Sequence, residues 1–214
     1  YLLYIYNQSF KFGGKGTRFL WLTSRLNQNK TGSFQNNPLF SLYYNLILDT
    51  CIHISTERNR RKDKTMKRVG FLTSGGDCQA LNATMRGVAK GLYQIYKDEV
   101  EIIGFEDGYK GLMYANYLMM KQSDFSGVLT KGGTMLGTSR QPFKLMRVPD
   151  ENGLDKVELM KHTYYKLKLD ALVVLGGNGS QKTANLLSQE GLNVIGLPKT
   201  IDNDLWGTDM TFGF

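Results

Sequence analysis

Residues 171–181 read ALVVLGGNGSQ, and the fold turns on how this stretch is parsed. Ala171–Leu175 is fully apolar, as expected of a strand buried on both faces of a parallel sheet. Gly176-Gly177-Asn178-Gly179-Ser180 breaks the run. The pattern predicts a helix over Gln181–Glu190, with Gly191 just past its end as the C′ glycine. Asn193–Leu197 is a second apolar run, stopped by Pro198. Strand, glycine loop, helix and strand make one βαβ unit.

The same grammar runs upstream. Val69–Thr73 reads as a strand, punctuated by Ser74-Gly75-Gly76-Asp77. Ala83, Met85, Val88, Leu92 and Ile95 stand near helical spacing and predict a helix over Asn82–Ile95. Val100–Phe105 reads as the next strand, ended by Asp107-Gly108, and Phe125–Leu129 as a short third element before Lys131-Gly132-Gly133-Thr134. Lys156–Lys168 reads as a helix. The implied architecture is α/β, a doubly wound, Rossmann-like parallel sheet. Ligands bind such sheets at the carboxyl ends of the strands. Loops 74–77, 131–134, 176–180 and 198–204 are all expected on that rim.

Composition narrows the function. The chain has 214 residues and a formal net charge of +8, but the charge is uneven. Residues 1–65 carry ten Lys and Arg against three Asp and Glu; residues 66–214 carry seventeen against sixteen. The basic character belongs to the head, so neither nucleic acid nor a membrane is expected as a partner of the rest. No apolar run reaches the ~18 residues of a membrane span. Two cysteines, Cys51 and Cys78, make no disulfide framework and suit a reducing, cytoplasmic compartment. With only His53 and His162 there is no zinc constellation.

The head lacks a durable period. Gly14-Lys15 is not a P-loop, because Gly16 follows the lysine and Ser9 stands where the first glycine belongs. Met66 is the first methionine, and ordered patterning begins directly after it. Residues 1–65 are therefore expected to be a non-homologous head, non-native or disordered, and 66–214 the folded domain.

The rim loops occur as a set. Ser74-Gly75-Gly76-Asp77 with Asn82, Gly132-Gly133-Thr134 with Gly137 and Arg140, Gly176-Gly177-Asn178-Gly179-Ser180, and Pro198-Lys199-Thr200-Ile201-Asp202-Asn203-Asp204 with Gly207-Thr208-Asp209 follow in this order. From Lys67 to Phe214 the chain resembles the 6-phosphofructokinase family. The resemblance implies the N-terminal, nucleotide-binding half of a two-domain fold, truncated at the C-terminus. It implies a phosphotransferase of glycolysis that moves the γ-phosphoryl of ATP, with Mg²⁺, to the 1-hydroxyl of fructose 6-phosphate. It also implies a homo-oligomer, with the sugar-phosphate clamp beyond Phe214 and on a neighbouring subunit.

The chemistry of the residues agrees with that implication. Glycines let backbone N–H groups approach phosphate, and helix starts attract anions. Gly75, Gly76, Gly177, Asn178, Gly179 and Ser180 would form two such cradles. By resemblance, Arg140 contacts the donor phosphates and Tyr109 lies near the nucleotide. Phosphoryl transfer needs a base in line with the attacking hydroxyl. The resemblance gives that role to Asp202, with Thr200, Ile201 and Asp204 holding the sugar. Two carboxylates at i, i+2 point to one side if the segment is extended.

Three departures bear on function. Asn178 stands where most members carry an aspartate that helps hold Mg²⁺; it offers a neutral oxygen, leaving the ion to the donor phosphates, water, Asp77 or Asp202. Ala80 replaces a usual glycine of the first loop. Gly179 leaves room for the α-phosphate of ATP, whereas Lys199 is typical of pyrophosphate enzymes. A missing carboxylate cannot block, so ATP is the expected donor. Pyrophosphate remains the alternative donor, and a non-catalytic binding paralogue the alternative class.

Overall fold

The computed structural model describes residues 20–21 and 66–214. Its strands are β1 (Leu20–Trp21), β2 (Lys67–Ser74), β3 (Val100–Phe105), β4 (Tyr117–Met120), β5 (Ala171–Gly176) and β6 (Val194–Pro198). Its α-helices are α1 (Ala80–Tyr96), α2 (Tyr109–Tyr114), α3 (Lys156–Lys166) and α4 (Asn178–Gln189). The sheet order is β1-β6-β5-β2-β3-β4. Register aligns the strand ends: Ser74 pairs with Gly176, and Gly176 with Pro198. These three carboxyl ends form the expected rim.

Alternation along each strand produces two cores. Val69, Phe71, Ile102, Val173, Leu175 and Leu197 face α1, whose Leu81, Met85, Val88 and Leu92 recur at helical spacing. Leu72, Ile103, Phe105, Leu172, Val174 and Val194 face the other side, under α2, α3 and α4. Most of these side chains are wholly buried, each worth about 1.5–3 kcal/mol against exposure. The sheet is therefore doubly wound, as expected. At the edge opposite the rim, Asp170 accepts from Lys67 Nζ and from the Arg68 amide, both at 2.9 Å.

The sheet is not wholly parallel. β4 runs antiparallel to β3, with Ile102 opposite Met120 and Phe105 opposite Tyr117. The expected third element at Phe125–Leu129 is absent. A 3₁₀ turn, Gln122–Phe125, occupies its start and drops Phe125 into the core beside Phe71. α4 begins at Asn178, three residues before the sequence reading, so Asn178, Gly179 and Ser180 are its first turn rather than loop. Gly191 does follow that helix with a left-handed φ of 99°. Of the head, Leu20–Trp21 pairs parallel with Ile195–Gly196; the other expectations for residues 1–65 lie outside the described residues.

Candidate functional site

Strand order reverses between β2 and β5: the chain leaves β2 toward β3 and β4, then crosses back to β5 on the other side. Such a switch point opens a crevice between the loops after the two strands. Gly75, after β2, has a φ of 89°, which favours glycine. At the end of β5, a Cβ on Gly176 would lie 2.5 Å from the Ser180 Cβ and 2.8 Å from the Ser74 carbonyl oxygen, so only glycine fits where the strand ends meet.

Among the described α-helices only α3 has a side-chain cap at its start. Asp155 caps α3, accepting from the Val157 amide at 2.8 Å and the Glu158 amide at 3.2 Å. α4, with Gly177 as its N-cap residue, has no side-chain cap. First-turn N–H groups lack intrahelical partners and carry the positive end of the helix dipole. A Cβ on Gly179 would meet nothing within 4 Å. An anion can therefore reach this helix start without displacing protein.

Segment 131–140 reaches the rim although it follows no strand. Asn82, in the first turn of α1, donates to the Lys131 carbonyl at 3.3 Å and accepts from the Met135 amide at 2.8 Å. The hydroxyls of Thr73 and Thr134 lie 2.9 Å apart, and Thr73 donates to the Gly137 carbonyl at 2.7 Å. Thr138 then donates to the Gly75 carbonyl at 2.7 Å, and the Gly75 amide to Ser139 at 3.2 Å. Arg140 follows, exposed, at the end of this strap.

The fourth loop closes the crevice. Lys199 is 5% exposed and donates from its ammonium to the Gly76 carbonyl. Burial holds that ammonium below the ordinary lysine range; Cys78 and Asp77 oppose the shift, and Arg140 adds to it. Beyond it, the Asp202 amide donates to the Thr200 hydroxyl at 3.2 Å. Ile201, Asp202 and Asp204 are exposed, and neither carboxylate accepts a protein hydrogen bond among the described residues. The segment is not extended throughout, contrary to the sequence reading, because Asn203 has a φ of 51°. Its side chain donates to Asp209 at 3.1 Å and accepts from the Thr211 amide at 2.9 Å. The turn is thus held by Asn203, leaving both aspartates unspent.

Tyr109 stands apart from the rim. It is wholly buried and its hydroxyl donates to the Ser180 carbonyl at 2.7 Å. Burial pushes its phenol well above the ordinary tyrosine range. It braces the first turn of α4 from beneath. Among the described residues no group of three or more His, Cys, Asp or Glu could hold a metal ion. The sequence reading passed over Thr73, Thr138 and the structural use of Asn82. A threonine at the end of an apolar strand was the available signal.

The family model described as Phosphofructokinase matches residues 68–214. The chain is 56% identical over 160 residues to an ATP-dependent 6-phosphofructokinase of Spirochaeta thermophila, covering 72% of this chain and 42% of the relative. It is 52% identical over 147 residues to an ATP-dependent 6-phosphofructokinase of Propionibacterium freudenreichii, covering 69% and 39%. The crystal structure of Pichia pastoris phosphofructokinase in the T-state superposes with a TM-score of 0.58 at 30% identity, over 69% of this chain and 17% of that one. The chain spans about two fifths of the length of the curated relatives it matches.

Proposed function

The chain belongs to the phosphofructokinase family, and on that premise we propose that it is the donor-binding part of an enzyme that transfers the γ-phosphoryl of ATP to the 1-hydroxyl of fructose 6-phosphate. The observation that carries this reading is the uncapped start of α4, with open space at Gly179 and the Gly75-Gly76 loop across the crevice. Two glycine-lined backbone cradles suit a polyphosphate, and the space at Gly179 accommodates an α-phosphate. The ATP-dependent names of the relatives support the same donor.

In this reading Arg140 and the N–H groups of Gly76, Gly179 and Ser180 neutralise the donor phosphates, while Gly75, whose amide is held by the Ser139 carbonyl, shapes the loop. Asp202 takes the proton of the attacking hydroxyl, and its free carboxylate is compatible with that task. Thr200, Ile201 and Asp204 face the sugar. Mg²⁺ characteristically binds through substrate phosphates, waters and one or two side chains. The side-chain oxygen of Asn178, exposed at the helix start, fits that thin ligand set. A bound magnesium would neutralise phosphate charge there. We place the enzyme in the cytoplasm, as a homo-oligomer; among the described residues no helix is long and apolar enough to cross a membrane.

The test is a coupled assay of the full-length protein with fructose 6-phosphate and either ATP or pyrophosphate. Turnover with ATP alone is expected. Turnover with pyrophosphate alone would move Lys199 to the centre of donor choice. Tight ATP binding without turnover would identify a binding paralogue.

A further inference from the structure

We propose that Asn82 is a positioning residue for the phosphoryl donor: it acts through the Lys131–Arg140 strap and sets where Arg140 stands. The inference rests on the reading of the crevice as a donor site.

Asn82 is 1% exposed and sits on α1, away from the crevice itself. A buried amide that both donates and accepts fixes two points of a chain at once. Here those points are the Lys131 carbonyl and the Met135 amide, on either side of Gly132-Gly133. The turn between them brings Gly133, with a φ of 70°, so close that a Cβ on it would lie 2.9 Å from the Asp77 carboxylate. From the clasped turn the path to Arg140 is continuous. The Thr134 hydroxyl accepts from the Leu136 amide at 3.2 Å and meets Thr73. The Leu136 carbonyl accepts from the Asp107 amide at 2.9 Å. The Ser139 hydroxyl donates to the Asp107 carbonyl at 2.5 Å, and Thr138 and Ser139 bracket Gly75. Arg140 has no hydrogen-bonding partner among the described residues, so its location follows from that of its backbone. The strap starts at Asn82 and ends on the loop that would cradle phosphate. Loss of the clasp therefore frees the strap that carries Arg140, while the Gly75-Gly76 loop and the segment carrying Asp202 stay joined through the bond from Lys199 to Gly76.

A double-mutant cycle in the full-length protein tests this. Asn82→Ser should raise KM for ATP about tenfold, the worth of a buried hydrogen bond in binding, with KM for fructose 6-phosphate within about twofold of wild type. In an Arg140→Ala background the same substitution should change KM for ATP less than about twofold, because its effect runs through Arg140. Hydrogen exchange at the Met135 amide should quicken, with the melting temperature reporting that the protein is folded. If Asn82→Ser does not fold, Thr134→Val interrupts the same strap one link on and takes its place in the cycle. Equal rises in KM for both substrates, or an unchanged KM for ATP in a folded variant, overturn the proposal. So does an Asn82 effect that persists in full without Arg140. Absence of turnover in the wild type would instead overturn the proposed function, and ATP titration by calorimetry would then decide the cycle.

Discussion

The ammonium of Lys199 donates to the carbonyl of Gly76, joining the loop after β6 to the loop after β2 across the end of β5. The bond has a titratable half. Lys199 is buried beside Arg140, and its pKa is lowered from the usual lysine value of 10.5. Between the lowered folded value and 10.5 the unfolded chain binds more protons, so stability rises with pH across that window and falls as pH drops through the folded value. Lys199→Met, which keeps the apolar stem, removes this dependence. Melting curves taken across alkaline pH up to 10.5 should rise less with pH for Lys199→Met than for wild type. Parallel curves would mean that Lys199 is solvated in the folded protein.

Tyr109 has the opposite sign. Burial raises its pKa, so the folded state holds the phenolic proton longer. Its contribution is intact below about pH 10 and is lost as pH rises through the folded value. Tyr109→Phe should cost about 0.5–1.5 kcal/mol at neutral pH, the net worth of its bond to Ser180. It should also carry the alkaline limit of stability upward. Melting at pH 7 and above pH 10 checks both, and ATP affinity should change only slightly, since the ring stays beneath α4.

Gly179→Asp separates ligand space from folding space. The new Cβ meets nothing within 4 Å, so the variant should fold. A carboxylate at a helix start is favourable by about 0.3–1 kcal/mol. Melting temperature should hold or rise while ATP turnover collapses, because the carboxylate would occupy and repel the proposed α-phosphate position. Retained ATP turnover would show that the donor approaches elsewhere.

Asn178→Asp should likewise hold or raise the melting temperature. If Asn178 supplies a magnesium ligand as proposed, the added charge should lower the Mg²⁺ concentration for half-maximal rate. An unchanged requirement would place the ion away from Asn178.

The parts legible in sequence were those decided by burial over long runs. β2, β5 and β6 read as apolar stretches, and α1 as a helical stripe, because the sheet is covered on both faces. β4 was not legible: Tyr117–Met120 is four residues long at the sheet edge, too short for alternation to register. The start of α4 was misread because Gly177-Asn178-Gly179 are helix breakers by propensity; here tertiary bonds override it. Gln181 donates to the carbonyls of Gly176 and Leu197, both at 3.0 Å, tying the first turn to two strands. The motif residues were found as a set, but the turn at Asn203 and the clasp at Asn82 depend on partners 8 and 49–53 residues away.

Asp202 and Asn203 make a decisive pair, because neighbours in sequence carry different loads. Asn203 holds the turn through Asp209 and Thr211 at a left-handed φ, so Asn203→Ala removes two hydrogen bonds and strains the backbone. It should lower stability by roughly 1–3 kcal/mol. Asp202 is exposed, and its carboxylate bonds no described residue. Asp202→Ser should therefore leave the melting temperature of the full-length protein where it is. Its effect should fall on the chemical step. An alcohol keeps its proton at neutral pH, and a positioned base contributes about 10²- to 10⁴-fold. A fall in kcat of that order, with a much smaller change in KM for fructose 6-phosphate, marks an interaction made mainly in the transition state. If Asp202 instead shapes the turn, Asp202→Ser will melt early and its folded fraction will turn over normally. Thermal melting beside single-turnover rates for Asp202→Ser and Asn203→Ala distinguishes the two roles, because each variant serves as the other's control.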